Sequence, residues 1–191
     1  VHLSLAAALT EPMHDVTYVF YDQEEVEESR NGLGLVSRER PDLLAGDFAI
    51  LGEPTSAAIE GGCNGTLRVD VASAGVAAHS ARAWKGVNAI HGAAPVLAAL
   101  AAYTPATVTV DGLDYHEELN AVGICGGIAG NVIPDECVVS VNYRFAPDKD
   151  ADTALALVEA IVRAAGPYEV TVTDLAGGAR PGLDAPMAQE F

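Results

Sequence analysis

The sequence predicts an α/β protein in which a smaller second domain is inserted into a partial open α/β domain. Three observations support this fold class. Two apolar runs near the start of the chain, at 16–21 and 47–51, are each followed by acidic residues. Several later segments alternate apolar and polar residues with the two-residue period of β-strands. Alanine-rich stretches with helical spacing lie between those segments, so strands and helices alternate along the chain.

The first domain is predicted over residues 1–56. The stretch between its two apolar runs is long enough for a crossover helix, which we expect to begin near Glu24. Such a unit places its strands parallel in one sheet, and open α/β sheets bind ligands at the carboxyl ends of these strands. Glu24, Glu25 and Glu53 follow those ends, so their carboxylates are expected to converge. Clustered carboxylates become favourable when a divalent cation lies between them, which predicts a metal site.

A separate domain is predicted over residues 57–174. Its elements follow the order β-α-β-β-α-β of the ferredoxin-like unit, in which two helices cover one face of an antiparallel sheet. The clearest strand is 136–145, whose alternate residues share one apolar face. A helical stretch at 87–103 contains Pro95, which predicts a kink or a restart. The other elements are expected at 66–71 (strand), 119–128 (strand), 152–165 (helix, capped by an aspartate) and 168–173 (strand).

Residues 175–191 are predicted to lead the chain back to the first domain. The segment 176–182 contains three glycines and a proline, which is typical of a hinge. Short helices are expected at both ends of the chain, over 1–9 and 187–191. Because both helices look cut short, we expect the chain to be an internal fragment of a larger protein.

The bulk composition excludes several classes of function. The chain has 191 residues and a formal net charge of −17, and so acidic a surface repels phosphate backbones, which argues against nucleic-acid binding. Hydrophobic residues make up 50% of the chain, which suffices for a core. No apolar stretch approaches the about 20 residues that span a membrane. The three cysteines, Cys63, Cys125 and Cys137, form no C-x-x-C pair and are typical of a reducing compartment, so we expect a cytoplasmic protein.

Five short motifs follow one another along the chain. They are Asp22-Gln23-Glu24-Glu25, Gly52-Glu53-Pro54-Thr55, Ala78-His79-Ser80-Ala81-Arg82, Gly130-Asn131-Val132-Ile133-Pro134 and Asn142-Tyr143-Arg144. Each is weak alone, since paired glutamates and Gly-Asn pairs are common. Together, around a β-α-β-β-α-β insertion, they resemble the motifs of the zinc aminoacylase and carboxypeptidase family of co-catalytic metallohydrolases. Within that family they are most similar to desuccinylases of the actinobacterial type.

The resemblance implies a role for each motif. Glu24 would be the general base that deprotonates a metal-bridging water, while Glu25 and Glu53 would each bind one zinc ion. His79 would reach from a lid and dimerisation domain into the active site of a partner subunit, where it would stabilise the oxyanion. The residues that would hold or flank the substrate are Asn131, Arg144, Ser80 and Arg82.

These residue types suit amide hydrolysis. Zinc lowers the pKa of bound water to about 7, which provides a nucleophile at neutral pH. A nearby carboxylate can take the proton and pass it to the leaving amine, and an imidazole N–H can donate to the oxyanion. Arginine binds carboxylates through paired hydrogen bonds, and both a succinyl group and an amino acid offer carboxylates. The resemblance implies two zinc ions per full-length subunit, with cobalt as an alternative metal.

The chain departs from the family pattern in its metal ligands. The family also needs an upstream histidine, a bridging aspartate and a C-terminal histidine, all expected outside residues 1–191. Two carboxylates without an imidazole would form an atypical zinc site. We therefore expect this chain by itself to be inactive or poorly metallated, and the full-length protein to be the enzyme.

Several interpretations stay open at this stage. The expected reaction is removal of succinate from N-succinyl-LL-diaminopimelate, on the route to lysine and diaminopimelate. Acetylornithine deacetylase, aminoacylase and carboxypeptidase activities are the related alternatives, and a non-catalytic dimerisation module is the alternative from another class. Glu24 and Glu25 could simply begin a helix, Asn131 could shape a turn, and Arg144 could form a structural ion pair.

A homodimer is expected because a histidine that acts in trans needs a second subunit. The helix around 90–103 and the strand 119–128 are the predicted contact elements.

Overall fold

The computed structural model describes residues 2–56 and 58–191, which divide into two compact units. The larger unit comprises residues 61–182, and the smaller comprises residues 1–60 together with 183–191. The larger unit contains the sheets of the described chain and its buried hydrophobic residues.

The strands of the larger unit are Gly65–Ala74 (β1), Ala78–His79 (β2), Ala106–Val110 (β3), Leu113–Gly126 (β4), Val132–Ile133 (β5), Glu136–Phe145 (β6) and Glu169–Ala176 (β7). Five of them form an antiparallel sheet with the order β3-β4-β6-β1-β7. The short strands β2 and β5 pair separately with each other. Apart from β3 and this small ladder, the elements follow the predicted β-α-β-β-α-β order, so the inserted ferredoxin-like domain is confirmed.

Helices of this unit pack on the apolar face of the sheet. Their bounds are Ala89–Gly92 (α3), Ala94–Ala101 (α4) and Ala151–Ala165 (α5). The restart predicted at Pro95 is confirmed, since α4 begins one residue earlier and carries the proline in its first turn, where no N–H is needed. The predicted aspartate cap of α5 is also confirmed: Asp150 accepts a hydrogen bond from the Thr153 N–H at 2.8 Å. No described helix is long and apolar enough to cross a membrane.

The core lies between these helices and the central strands β1 and β6. Its cross-strand pairs are Leu67 with Tyr143, Val69 with Val141 and Val71 with Val139, and each of these side chains is at most 1% exposed. Burial of side chains this large contributes about 1.5–3 kcal/mol each. The residues between them are polar and face the other side of the sheet, as strand alternation requires.

A β-hairpin, formed by β3 and the first half of β4, is absent from the sequence-based prediction. Its turn residues Asp111 and Gly112 both have positive φ, at 49° and 85°. Two such residues form the type I′ turn that matches the twist of a hairpin. An Asp-Gly pair between two alternating segments is a sequence signal for this structure, and β4 accordingly begins at Leu113 and not at Leu119.

The smaller unit contains the helices α1 (His2–Ala8), α2 (Gly32–Glu39) and α6 (Pro186–Glu190). The helices predicted at the two ends of the chain are thus confirmed. The helix predicted to begin near Glu24 begins at Gly32, because the Asn31 side chain caps it by accepting hydrogen bonds from the Leu33 and Gly34 N–H groups. A short 3₁₀ turn, Glu28–Arg30, precedes that cap.

The prediction of two parallel strands at 16–21 and 47–51 is wrong. Neither run belongs to a hydrogen-bonded ladder among the described residues. Their apolar side chains are largely exposed, with Phe20 at 58% and Leu51 at 69%. Parallel strands need cover on both faces of the sheet, and side chains this exposed do not have it.

Candidate functional site

The predicted site residues fall into three groups. Glu24, Glu25 and Glu53 belong to the smaller unit. The larger unit carries one group around His79 and a separate position at Arg144.

The His79 turn, residues 78–86, is built on the small β2–β5 ladder. His79 is paired with Val132 across this ladder, and the Ser80 N–H donates to the Asn131 carbonyl at 2.9 Å. The structure therefore brings together four of the predicted residues: His79, Ser80, Arg82 and Asn131. All four are exposed, so their side chains are accessible to a ligand.

Within the His79 turn, the imidazole has a fixed backbone contact. Its Nδ1 accepts a hydrogen bond from the Ala81 N–H at 3.0 Å, so His79 caps the 3₁₀ helix Ser80–Lys85. Arg82 interrupts this helix with φ −133° and ψ 41°. The chain thus turns sharply beside the histidine and presents both side chains outside the sheet.

Arg144 lies at the opposite end of the domain. It is eight residues beyond Glu136, the start of β6, which corresponds to roughly 26 Å at about 3.3 Å per residue. The His79 turn follows the end of β1 that pairs with that start, because Ala74 lies opposite Glu136. One small molecule does not bridge Arg144 and His79 of the same subunit.

Arg144 occupies the polar face of the sheet. Its register partners are Thr66 on β1 and Glu118 on β4, and its guanidinium has no hydrogen-bond partner within the described chain. Nearby polar residues are paired: Asn142 donates to the Thr66 hydroxyl at 3.1 Å. Ser140 donates to the Asp70 carboxylate at 2.7 Å, further along the same strand. On this face of β6, Ser140 and Asn142 are hydrogen-bonded to neighbouring side chains, whereas, among the described residues, the Arg144 guanidinium is not.

Glu117 is a buried carboxylate that sequence reasoning missed. It is 3% exposed and accepts hydrogen bonds from the Tyr143 hydroxyl at 3.1 Å and the Ala146 N–H at 2.8 Å. Lys149 approaches the same carboxylate at 2.8 Å. Burial, and then the Glu117 charge, raise the pKa of Tyr143 far above its usual value, so this phenol stays a donor. These bonds fix the end of β6 that carries Arg144.

The carboxylates of the smaller unit are only partly brought together. The pKa of the Tyr21 phenol is raised first by burial and then by the charges of Glu24 and Glu53, so both carboxylates act on one hydroxyl. Yet no group of three or more His, Cys, Asp or Glu side chains that could hold a metal occurs among the described residues. Structural and catalytic zinc sites use at least three protein ligands. The residues present do not fit a complete zinc site.

The antiparallel sheet and the helices on its apolar face define a ferredoxin-like domain. Residues 61–170 match the model of the peptidase dimerisation domain, M20_dimer. The chain belongs to this family.

Two bacterial relatives are similar over nearly the whole chain. A DapE protein of Mycobacterium tuberculosis is 52% identical over 189 residues, which cover 99% of this chain and 53% of that protein. The succinyl-diaminopimelate desuccinylase of Corynebacterium glutamicum is 48% identical over 179 residues, covering 93% of this chain and 48% of the relative. The chain thus spans about half the length of these relatives.

Solved structures support the fold. The M20 family metallo-carboxypeptidase Sso-CP2 of Sulfolobus solfataricus superposes with a TM-score of 0.58 at 14% identity, covering 85% of this chain and 57% of that one. A tripeptidase of Staphylococcus aureus gives a TM-score of 0.55 at 22% identity, covering 86% and 44%.

Proposed function

We propose that the whole protein is a metal-dependent amide hydrolase that removes succinate from N-succinyl-LL-diaminopimelate, in the biosynthesis of lysine and diaminopimelate. The observation that carries this proposal is the 48% identity to the Corynebacterium glutamicum desuccinylase across 93% of the chain. Such an enzyme would be cytoplasmic and would act on a small N-acyl amino acid.

In this proposal Glu24 is the general base and Glu25 and Glu53 are ligands of zinc. A proton taken by the Glu24 carboxylate would pass to the leaving amine, which is the usual task of a general base in amide hydrolysis. Burial and, to a lesser degree, the charges of Glu24 and Glu53 raise the pKa of the Tyr21 phenol, which is consistent with both carboxylates lying in its neighbourhood. The two proposed ligands do not form a metal site alone, so the remaining ligands would come from other parts of the whole protein.

We further propose that the protein is a homodimer and that its lid serves two sites. His79, with Ser80, Arg82 and Asn131, would contact the substrate of the partner subunit. Arg144 would bind a substrate carboxylate at a different site, since it lies roughly 26 Å along β6 from the strand end beside the His79 turn.

The exposed edge of β4 is the proposed dimer contact. Strand β3 pairs with β4 only as far as Glu117, so the later residues form a sheet edge within the described chain. This edge carries Val122 and Ile124, which are 65% and 55% exposed. Unpaired apolar edges are templates for strand pairing with a second chain. Ile90 of α3 lies beside this edge and is 39% exposed, so the proposed contact combines an apolar helix residue with the strand edge.

The test is hydrolysis of N-succinyl-LL-diaminopimelate by the whole protein with added zinc. Glu24→Gln should reduce kcat by at least about 100-fold with zinc still bound, since general-base catalysis contributes at least that much. Glu27→Gln is the matched control, because Glu27 belongs to the same acidic segment but pairs with Arg30.

If the protein hydrolyses an acetylated or peptide substrate but not the succinylated one, the proposed hydrolase mechanism stands and the proposed desuccinylase activity is rejected. No turnover of any amide would reject the enzyme and favour a non-catalytic dimerisation module.

A further inference from the structure

The His79 imidazole has two nitrogens with different surroundings. Nδ1 lies 3.0 Å from the Ala81 backbone nitrogen, which carries a hydrogen directed at it. Nε2 has no hydrogen-bond partner within the described residues, and His79 as a whole is exposed. A backbone N–H can only donate, so Nδ1 must be the accepting nitrogen in this arrangement.

We propose that the Ala81 N–H fixes the neutral His79 side chain as the tautomer with its proton on Nε2. The hydrogen bond made by one ring nitrogen determines which nitrogen carries the proton. With Nδ1 engaged, the outward nitrogen is an N–H donor. The Ala81 N–H is then a positioning group, which acts through His79. The catalytic role of the tautomer, unlike the tautomer itself, rests on the proposed function.

The fixed tautomer separates two roles in amide hydrolysis. A neutral imidazole with its proton on Nε2 cannot accept a proton at that nitrogen, so His79 would not act there as a general base. It can donate to an oxygen on which negative charge develops, and such preorganised donors are among the strongest contributions to catalysis. The base role is left to a carboxylate, for which Glu24 is proposed.

Surrounding structure holds the ring in this orientation. His79 is hydrogen-bonded in the β2–β5 ladder, and the next residue, Ser80, donates its N–H to Asn131. The backbone on both sides of the imidazole is therefore fixed, and Ala81 follows in the first turn of the 3₁₀ helix. The donor is the main chain, so most side chains at position 81 preserve it and proline removes it.

The experiment is ¹⁵N NMR of the 191-residue chain labelled at histidine, at alkaline pH where imidazoles are neutral. The chain has five histidines, which serve as internal references, and the His79 signals are identified by their loss in His79→Gln. We expect His79 to show only the Nε2-protonated pattern. In Ala81→Pro, the same signals should move to the tautomer mixture of a free imidazole. A mixture or an Nδ1-protonated pattern in the native chain overturns the proposal.

Two replacements of His79 distinguish the acceptor role of Nδ1 toward the Ala81 N–H from the donor role of Nε2. His79→Asn places an amide oxygen where Nδ1 lies, so the Ala81 amide should keep its protection from hydrogen exchange. His79→Gln keeps a distant N–H but loses the short cap, so this protection should fall at least about tenfold. Equal protection in both variants overturns the inference that Ala81 donates to His79.

Turnover by the whole protein provides an independent measurement. Ala81→Pro should lower kcat more than it raises KM if His79 donates to the oxyanion. Absence of turnover in the native protein, with the expected NMR pattern present, rejects the proposed function and leaves the tautomer assignment standing. Turnover by the native protein together with a tautomer mixture at His79 supports the proposed function and rejects the tautomer assignment.

Discussion

At the scale of single residues, the neighbouring glutamates Glu117 and Glu118 lie on opposite faces of the sheet, one buried and one exposed. Glu117 points into the core and is satisfied by a phenol, a backbone N–H and Lys149. Glu118 points to the opposite face and is exposed. Strand alternation alone therefore gives adjacent glutamates very different surroundings.

Replacing the buried member tests its structural role. Glu117→Ala should lower the free energy of unfolding by about 3 kcal/mol, because it leaves a phenol and a buried backbone N–H without their acceptor. It also removes one of the two carboxylates that pair with Lys149, which keeps Asp148 at 3.0 Å. Denaturant unfolding followed by circular dichroism measures this change. Glu118→Ala is the matched control and should stay within about 0.5 kcal/mol of the native chain. Equal effects of the two substitutions would contradict the assignment.

Arg144 gives the second prediction at this scale. In the whole protein, Arg144→Lys should raise KM by about tenfold with a smaller change in kcat, since lysine lacks the planar pair of donors that binds a carboxylate. Steady-state kinetics with the succinylated substrate provides the measurement.

Arg68→Lys is the control for that substitution. Arg68 lies on the neighbouring strand β1, and its guanidinium is 3.9 Å from the Asp174 carboxylate. An equal rise in KM for both variants would indicate a general effect on the sheet and not substrate binding by Arg144.

At the scale of elements, the β3–β4 hairpin depends on its turn. Gly112 has φ 85°, and a Cβ added there would meet no atom within 4 Å. Asp111 also accepts a hydrogen bond from Arg180 Nε at 3.0 Å, which ties the turn to the segment after β7. The turn is therefore constrained by backbone conformation and by a distant contact, and not by crowding.

Gly112→Ala isolates the conformational contribution. It should lower the free energy of unfolding by about 1 kcal/mol, the cost of a left-handed conformation for a residue with a Cβ. Gly177→Ala is the control, because its Cβ also meets nothing within 4 Å and its φ is not in the left-handed region. Thermal or denaturant unfolding of both variants distinguishes them, and equal stability would contradict the turn assignment.

Most elements of the larger unit could be predicted because their signals are local. Alternation identifies β6, Asp150 and Gly166 bound α5, and Pro95 marks the restart between α3 and α4. The helix start at Gly32 was missed because acidic residues near Glu24 fit a first helical turn as well as an irregular segment. The start is set by Asn31, whose side chain caps the helix by accepting hydrogen bonds from the Leu33 and Gly34 N–H groups.

At the scale of the whole molecule, the exposed edge of β4 is the surface that a second subunit would cover. Ile124→Lys should weaken dimerisation of the whole protein by at least about tenfold, because an unpaired charge would be buried in the contact. Sedimentation velocity across a concentration series measures this effect. Val172→Lys is the matched control, since Val172 is 42% exposed on β7 at the opposite edge of the sheet. Loss of the dimer in the control but not in Ile124→Lys would place the contact at β7.

The sequence by itself determined the ferredoxin-like insertion, its helices and the motifs around His79 and Arg144. Periodicity, caps and turn residues are local, so they can be recognised without a partner segment. Tertiary structure decided which motif residues meet: it joined His79 to Asn131 through a two-residue ladder and placed Arg144 at the far end of β6. It also decided that residues 16–21 and 47–51 do not pair, because a parallel strand depends on covering layers that its own residues cannot provide.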